Sequence, residues 1–350
     1  MKSKDSLYHN LHQRYISIEV TGKCNNACRH CYNFWGNNNQ ARSSKRNNIL
    51  SREDISFLIK KVKEDIPLQY VAISGGEPLL RRDLPEILGD IIDMGLQPVV
   101  ITNGALLSEV LLKRLPRDLY FEITLFANNA ALHNRLAGNE VFNQIVWNMA
   151  RVNRYGSHLT LAFVATKLNA LEVQRTVELG IALGAIAVMY NRINLSNRMK
   201  QYVPELVPSA NMLKNSLTLL QETVRKYQVQ SVCSVPIPPC IVDVLQFPNI
   251  DFGWCPRGGK NAYYTIGYDG LLRPCNHASF ILGDLRQHGF AELITNQKCK
   301  TFWKTIPELC KTCKHPLKNQ CKGGCTAAAY EFYGTQDRID PICELALDDT

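Results

Sequence analysis

At 350 residues and 45% hydrophobic content the chain can fill a substantial core, so a disordered or fibrous protein is excluded and a large domain, alone or with a smaller companion, is expected. The formal charge of +9 comes from scattered Lys and Arg in short runs such as Lys60-Lys61-Val62-Lys63, which reads as a solvated helix face, so nucleic acid is not an expected partner. The longest apolar-rich segment, 179–190, is interrupted by Gly180 and Gly184, and the N-terminus lacks a secretory h-region, so the expectation is no membrane span and a cytoplasmic location.

In chain order, residues 1–14 read as an N-terminal tail. From Tyr15 to Ile193, β-branched and apolar runs alternate with amphipathic segments, the mark of repeated βα units and a parallel sheet. Strands are predicted over 15–21, 70–74, 98–102, 119–125, 159–166 and 186–192. Ser51 followed by Asp54 reads as a capped helix start, with Ile55, Leu58, Ile59 and Val62 as its apolar stripe. Further helices are predicted over 83–94, 140–155 and 170–183. Six strands fall short of the eight of a full barrel, so the expected fold class is α/β, a partial (β/α)6 barrel with its mouth at the strand C-terminal ends. The polar segment 37–48 reads as a loop. A helix over 210–227 follows Pro204 and Pro208, and Pro236-Ile237-Pro238-Pro239 marks a boundary between a domain over 15–235 and a smaller one over 236–350. From Trp254 onward Cys, Gly, Lys and aromatic residues dominate, as in a small domain held together by metal.

Thirteen cysteines without an export signal exceed what packing needs, and an odd total fits poorly with a closed disulfide framework. Directly after the first strand stand Cys24, Cys28 and Cys31, a Cys-x3-Cys-x2-Cys loop. Three close thiolates can hold three irons of a cubane cluster and leave the fourth open to an outside chelator. A zinc knuckle would need a fourth local ligand; His30 is available, but it lies between two of the cysteines in a strained position, and the cluster is preferred. At the end of the second strand, Ser74-Gly75-Gly76-Glu77-Pro78 supplies glycines that let backbone approach a ligand and a carboxylate that can accept from an ammonium. Asn103, ending the third strand, and Thr124 either line the same mouth or serve as a turn cap and a core-facing residue.

With these motifs the chain resembles a radical S-adenosylmethionine (SAM) enzyme. The family usually has an aromatic residue before the third cysteine; His30 takes that place as a flat ring, with Tyr32 after Cys31. The resemblance implies a 4Fe–4S cluster on Cys24, Cys28 and Cys31, whose open iron is chelated by the amine and carboxylate of SAM. One electron then breaks the sulfonium C–S bond to give a 5′-deoxyadenosyl radical. Gly75, Gly76, Glu77 and Pro78 are similar to the family motif that contacts the methionine amino group, with Asn103 and Thr124 as further cofactor-binding candidates. His133-Asn134-Arg135 is also similar to family members, against the plainer reading of a salt-bridged surface Arg.

The C-terminal cysteines run Cys255-x14-Gly270-x4-Cys275, then Cys310-x2-Cys313-x7-Cys321-x3-Cys325, then Cys343. Seven thiols exceed one tetrahedral site and fall just short of two, so two clusters are the economical reading and structural zinc the other. An Asp269-Gly270 turn predicts a hairpin that brings Cys255 and Cys275 towards each other. The pattern resembles the SPASM extension of the family, although the central gap is seven residues where five is usual, and implies two auxiliary iron–sulfur clusters. By that resemblance Cys310, Cys313, Cys321 and Cys343 complete the distal cluster, and Cys255, Cys275 and Cys325 hold the nearer one. Its fourth ligand is expected to be Cys240, or an iron is left open; Cys233 and Cys299 are expected as ordinary buried thiols.

Members with this extension mostly modify peptides or proteins. The resemblance therefore implies a maturase of ribosomally made peptides that abstracts hydrogen from a precursor peptide, leading to cross-linking, excision or other rearrangement. About fourteen residues precede the first strand, so leader recognition is expected from a separate leader-peptide-binding protein or the basic surface, and electrons from a flavodoxin or ferredoxin. A sulfatase-type maturase or small-molecule radical enzyme is the rival within this chemistry, and a zinc-stabilised binding protein the rival outside it. No catalytic acid or base can be assigned from the sequence.

Overall fold

The computed structural model describes residues 15–33, 49–260 and 262–346; the tail 1–14 and the loop 37–48 lie outside the described residues. Strand β1 (Tyr15–Thr21) is followed by α1 (Arg52–Asp65), β2 (Tyr70–Gly75), α2 (Leu84–Asp93), β3 (Gln97–Thr102), α3 (Glu109–Arg114), β4 (Tyr120–Thr124), α4 (Ala130–Ala137), α5 (Phe142–Val152), β5 (His158–Ala165), α6 (Val173–Ala182) and β6 (Ala185–Arg192). The six strands pair in parallel in this order, as their apolar runs and helical crossovers require. At the start of α1, Ser51 Oγ accepts from Asp54 N at 3.1 Å while Asp54 Oδ2 accepts from Ser51 N at 2.9 Å. The stripe Ile55, Leu58, Ile59 and Val62 is buried, each side chain contributing roughly 1.5–3 kcal/mol relative to exposure.

The sheet extends past the six expected strands at both edges. Helix α7 (Ala210–Tyr227) leads into β7 (Gln230–Cys233) and then β8 (Asp251–Phe252), which continue the parallel run beside β6. Strands of 4 and 2 residues carry too little alternation to be read from sequence. At the opposite edge, β9 (Thr265–Ile266) pairs in parallel with β1, and β10 (Leu271–Arg273) and β11 (Gly283–Asp284) add antiparallel strands. The full order is β11-β10-β9-β1-β2-β3-β4-β5-β6-β7-β8, an open sheet whose two ends do not meet. The expected Asp269-Gly270 turn joins β9 to β10, with Gly270 at φ 81° and its N–H donating to Gly267 O at 2.9 Å.

Beyond β11 the helices are short: α8 (Phe290–Thr295), α9 (Gln297–Lys304) and α10 (Thr326–Tyr333). Among the described residues no helix is long and apolar enough to cross a membrane. Two buried ion pairs bolt this segment to the parallel strands. Arg273 of β10 pairs with Glu19 of β1, and Arg192 at the end of β6 pairs with Asp340. Burial pushes the Glu19 carboxyl up to about 7 against the pull of Arg273. Arg192 also donates to Pro236 O and Ile193 O, both at 2.9 Å, and Asp340 accepts from Cys325 N at 2.8 Å. Such pairs fix position more than they add stability, because desolvation offsets much of their attraction.

Candidate functional site

Cys24, Cys28 and Cys31 leave the C-terminal end of β1 on one loop, which is fastened to the end of α4. Ala27 N donates to Ala137 O at 3.0 Å, and Asn139 Nδ2 to Asn25 O at 2.9 Å. Gly138 lies between them at φ 62°, where a Cβ would stand 2.6 Å from Ala27 O. Burial pushes the Cys24 thiol up to about 11 and raises Cys28 and Cys31 as well, with neighbouring thiols adding to the effect at Cys28. These thiols hold their protons unless a cation joins them, and cluster iron supplies that charge; the donor set fits. Among the described residues no three His, Cys, Asp or Glu side chains converge closely enough to grip a single metal ion. A cubane spreads its ligands over separate irons, so it asks for a wider frame.

His30 is buried and packs edge-on against Phe126 at 4.6 Å, and burial lowers it to about 4, so it serves as a neutral flat ring. In the stretch His133-Asn134-Arg135 the Arg makes an exposed pair with Glu205 at 3.0 Å. Asn134 Oδ1 accepts from Val141 N and Phe142 N, so this stretch shapes the helix junction beside the cysteine loop.

The Gly-Gly turn packs on the chain's own backbone. A Cβ on Gly75 would stand 2.3 Å from Thr21 O, and one on Gly76 2.1 Å from Lys23 O. Both glycines let the turn lie directly on the backbone that enters the cysteine loop, where Gly76 N donates to Thr21 O and Glu77 N to Lys23 O, each at 2.8 Å. The Glu77 carboxyl is turned inward and 1% exposed. It accepts from Thr102 Oγ1 at 2.6 Å, Leu79 N at 3.0 Å and Asn103 N at 2.8 Å. Pro78 opens the short 3-10 turn that follows. Asn103 Nδ2 reaches Asn25 Oδ1 at 2.8 Å, so the ends of β1, β2 and β3 are wired into one unit around the three thiols.

The C-terminal thiols sort into two sets. Cys275 feels the charges of Cys325 and Cys255. Cys310 feels those of Cys321, Cys240 and Cys313, and Cys343 is hydrogen-bonded to Cys240. The expectation that Cys240 joins Cys255, Cys275 and Cys325 is therefore corrected. A turn in which Ile241 N donates to Pro238 O at 2.9 Å sets Cys240 against Cys343, in the other set. The hydrogen bond from Cys343 holds the more exposed Cys240 below the ordinary thiol range. Arg257 is within electrostatic reach of both sets, influenced by Cys255, Cys325, Cys321 and Cys310, and donates to Thr305 O at 3.1 Å and to Lys322 O. Cys233 and Cys299 are buried in the hydrophobic core, as expected.

Between the cysteine loop and the first C-terminal set lies a cavity of about 480 Å³. Its walls include Ile101, Glu122, Thr124, Ala162 and Met189 from the strands, Tyr32 from the cysteine loop, and Cys255, Cys275 and Cys325. Tyr32 ties the two regions together: its hydroxyl accepts from Asn276 Nδ2 at 3.2 Å and its ring meets His277 edge-on at 4.4 Å. A second hollow, of about 700 Å³, is lined by Ala130, Ala131, Asn134, Arg135, Gly138, Asn139 and Glu140, with no thiol in its wall. Thr124 faces the cavity; Glu122, two residues earlier on the same face of β4, was missed in the sequence. Its signal was present, since a carboxylate at an inward position of a barrel strand is out of place in a core. Burial alone pushes it up to about 7.

An open parallel barrel with a three-thiol loop at its mouth and a cysteine-rich unit across its cavity has the architecture of an iron–sulfur radical enzyme. Residues 18–180 match the family model of the Radical SAM superfamily, and residues 255–315 match that of SPASM, an iron-sulfur cluster-binding domain. The chain is a radical SAM superfamily enzyme with a SPASM domain, and this membership implies iron–sulfur clusters and SAM as its cofactors. It is 26% identical over 348 residues to the PqqA peptide cyclase of Granulibacter bethesdensis, covering 95% of this chain and 87% of the relative. The fold is similar to that of Streptococcus suis SuiB bound to precursor peptide SuiA, with TM-score 0.71, 14% identity, and coverage of 96% of this chain and 77% of SuiB. It is also similar to anSMEcpe with bound AdoMet, with TM-score 0.70, 17% identity, and coverage of 95% and 94%.

Proposed function

We propose that this enzyme is a peptide maturase: it draws a residue of a precursor peptide into the barrel cavity, where hydrogen abstraction leads to cross-linking, excision or another rearrangement. The observation that carries this reading is the cavity itself, bounded by Tyr32 and Thr124 on one side and by Cys255, Cys275 and Cys325 on the other. Its volume of about 480 Å³ lies in the range of sites that enclose small groups rather than folded surfaces. The similarity to a PqqA peptide cyclase, and to a SuiB structure with its precursor peptide, supports a peptide substrate.

On this reading Cys24, Cys28 and Cys31 hold a 4Fe–4S cluster, and Gly75, Gly76, Glu77, Pro78, Asn103 and Thr124 form the SAM site, with Glu77 acting through the turn it locks. Cys255, Cys275 and Cys325 give one auxiliary cluster three protein ligands, and Cys310, Cys313, Cys321 and Cys343 give a second its four. When bound, the first cluster and SAM supply the radical by reductive cleavage. The chain supplies enclosure: the apolar strand walls and the Tyr32–Asn276 contact keep water from the reacting atoms. The units 15–235 and 236–350, a cytoplasmic location, a flavodoxin- or ferredoxin-type donor and a separate leader-peptide-binding protein complete the proposal.

The test is anaerobic reconstitution followed by iron and sulfide analysis, reduction with SAM present, and incubation with candidate precursor peptides. About eight to twelve irons per chain, 5′-deoxyadenosine and a peptide mass change are expected. One or two zinc atoms without SAM cleavage would defeat the radical reading. Cleavage that alters a small molecule but no peptide would defeat the maturase reading alone.

A further inference from the structure

The barrel cavity is one-sided in charge. Among the described residues its lining contains two carboxylates, Glu122 and Asp251, and no lysine or arginine, in a chain whose formal charge is +9. Asp251, on the short strand β8, is exposed and accepts from Gln230 Nε2 at 3.4 Å. Glu122 is different. It sits in the middle of β4, opposite Ile101 of β3 and Thr160 of β5, and among the described residues its carboxyl makes no hydrogen bond or ion pair. The wall around it is aliphatic: Val99, Ile101, Ala162 and Val164 line the same cavity. The buried arginines Arg192 and Arg273 are engaged with Asp340 and Glu19.

Glu122 is half-buried, and a carboxylate held at a cavity wall with no donor from the protein is costly. An unsatisfied one that borders a cavity points to a ligand that completes it. We propose that Glu122 is the specificity-determining residue for a cationic side chain of the substrate, a lysine or arginine whose aliphatic stem lies along the Val99, Ile101, Ala162 and Val164 wall and whose head meets the Glu122 carboxylate. This rests on the cavity being the substrate site. Lysine and arginine combine a long apolar stem with a charged end, which matches an apolar wall ending in a carboxylate. A neutral side chain leaves Glu122 unsatisfied, and an acidic one is repelled. The burial that pushes Glu122 up to about 7 is opposed once a cation arrives.

The probe is a set of capped pentapeptides, Gly-Gly-X-Gly-Gly, in which X is lysine, its uncharged isostere norleucine, or glutamate. Each is titrated calorimetrically into the anaerobically reconstituted full chain, as wild type and as Glu122→Gln. The wild type is expected to bind the lysine peptide about ten-fold or more tighter than the norleucine peptide, the size of one charge-assisted hydrogen bond, and the glutamate peptide most weakly. In Glu122→Gln the ratio of lysine to norleucine affinity is expected to collapse. Equal affinities in the wild type, or binding of none of the three, overturns the inference whether or not the variant folds. So does a preference that survives in a variant retaining its iron. The same wild-type preparation is assayed for 5′-deoxyadenosine: its absence defeats the radical reading, whereas cleavage without the lysine preference defeats this inference alone.

Discussion

The two thiol regions are built on opposite principles. The N-terminal set needs only the segment from Cys24 to Cys31, held down by the turn at Gly75-Gly76 and the end of α4. The C-terminal thiols are drawn from Cys240 to Cys343, and their placement depends on contacts across the molecule, above all the buried Arg192–Asp340 pair beside Cys325. A site whose donors are neighbours in sequence is fixed locally, whereas one assembled from distant segments is as secure as the fold that gathers it.

Variants should separate the two regions. The largest effect is expected for Cys28→Ala: 5′-deoxyadenosine formation falls below detection while C-terminal iron is retained, and unchanged formation would remove Cys28 from the site. Asp340→Ala should act in the opposite place. It leaves the fully buried Arg192 unpaired, at a cost of roughly 3–5 kcal/mol, so a lowered Tm and preferential loss of C-terminal iron are expected. A Tm equal to that of the wild type would contradict the role given to this pair.

The next contrast lies inside the C-terminal region. Cys343→Ser is expected to lose about four irons per chain, one cubane, whereas Cys240→Ser keeps them. The reverse result would make Cys240 the ligand and Cys343 its neighbour. The smallest effect is expected from pH at Glu122. Its folded pKa of about 7 lies above the ordinary 4.5, so between these values the folded chain binds more protons than the unfolded one, and stability falls as pH rises through that window. Above pH 7 the loss is complete. The Tm of the wild type should therefore fall relative to that of Glu122→Gln from pH 5 to pH 8; parallel curves would show that the carboxyl is not desolvated.

What was legible in the sequence follows the same division. The six parallel strands and the Ser51–Asp54 cap could be read because alternation and capping are local signals, and the cysteine loop because its spacing is. Strands β7 and β8 were too short to show a period. Cys240 was offered, with an open iron as the alternative, as the fourth ligand beside Cys255, Cys275 and Cys325; the turn that sets it against Cys343 leaves no mark in the sequence. The glycines at 75 and 76 were recognised, and their close approach to the backbone of Thr21 and Lys23 is a feature that only the packing reveals. Glu122 escaped because a single carboxylate in a strand becomes conspicuous only when the face it shares with Thr124 is known to line a cavity.

The central claim is that Cys24, Cys28 and Cys31 bind a cluster with one iron free for SAM. Electron paramagnetic resonance of the reduced, oxygen-free protein tests it most directly, comparing spectra with and without SAM in the wild type and in a variant with all three cysteines replaced by alanine. SAM is predicted to shift the signal of the wild type and to leave that of the variant unchanged. A wild type whose signal ignores SAM, or a variant whose signal still responds, would contradict the account.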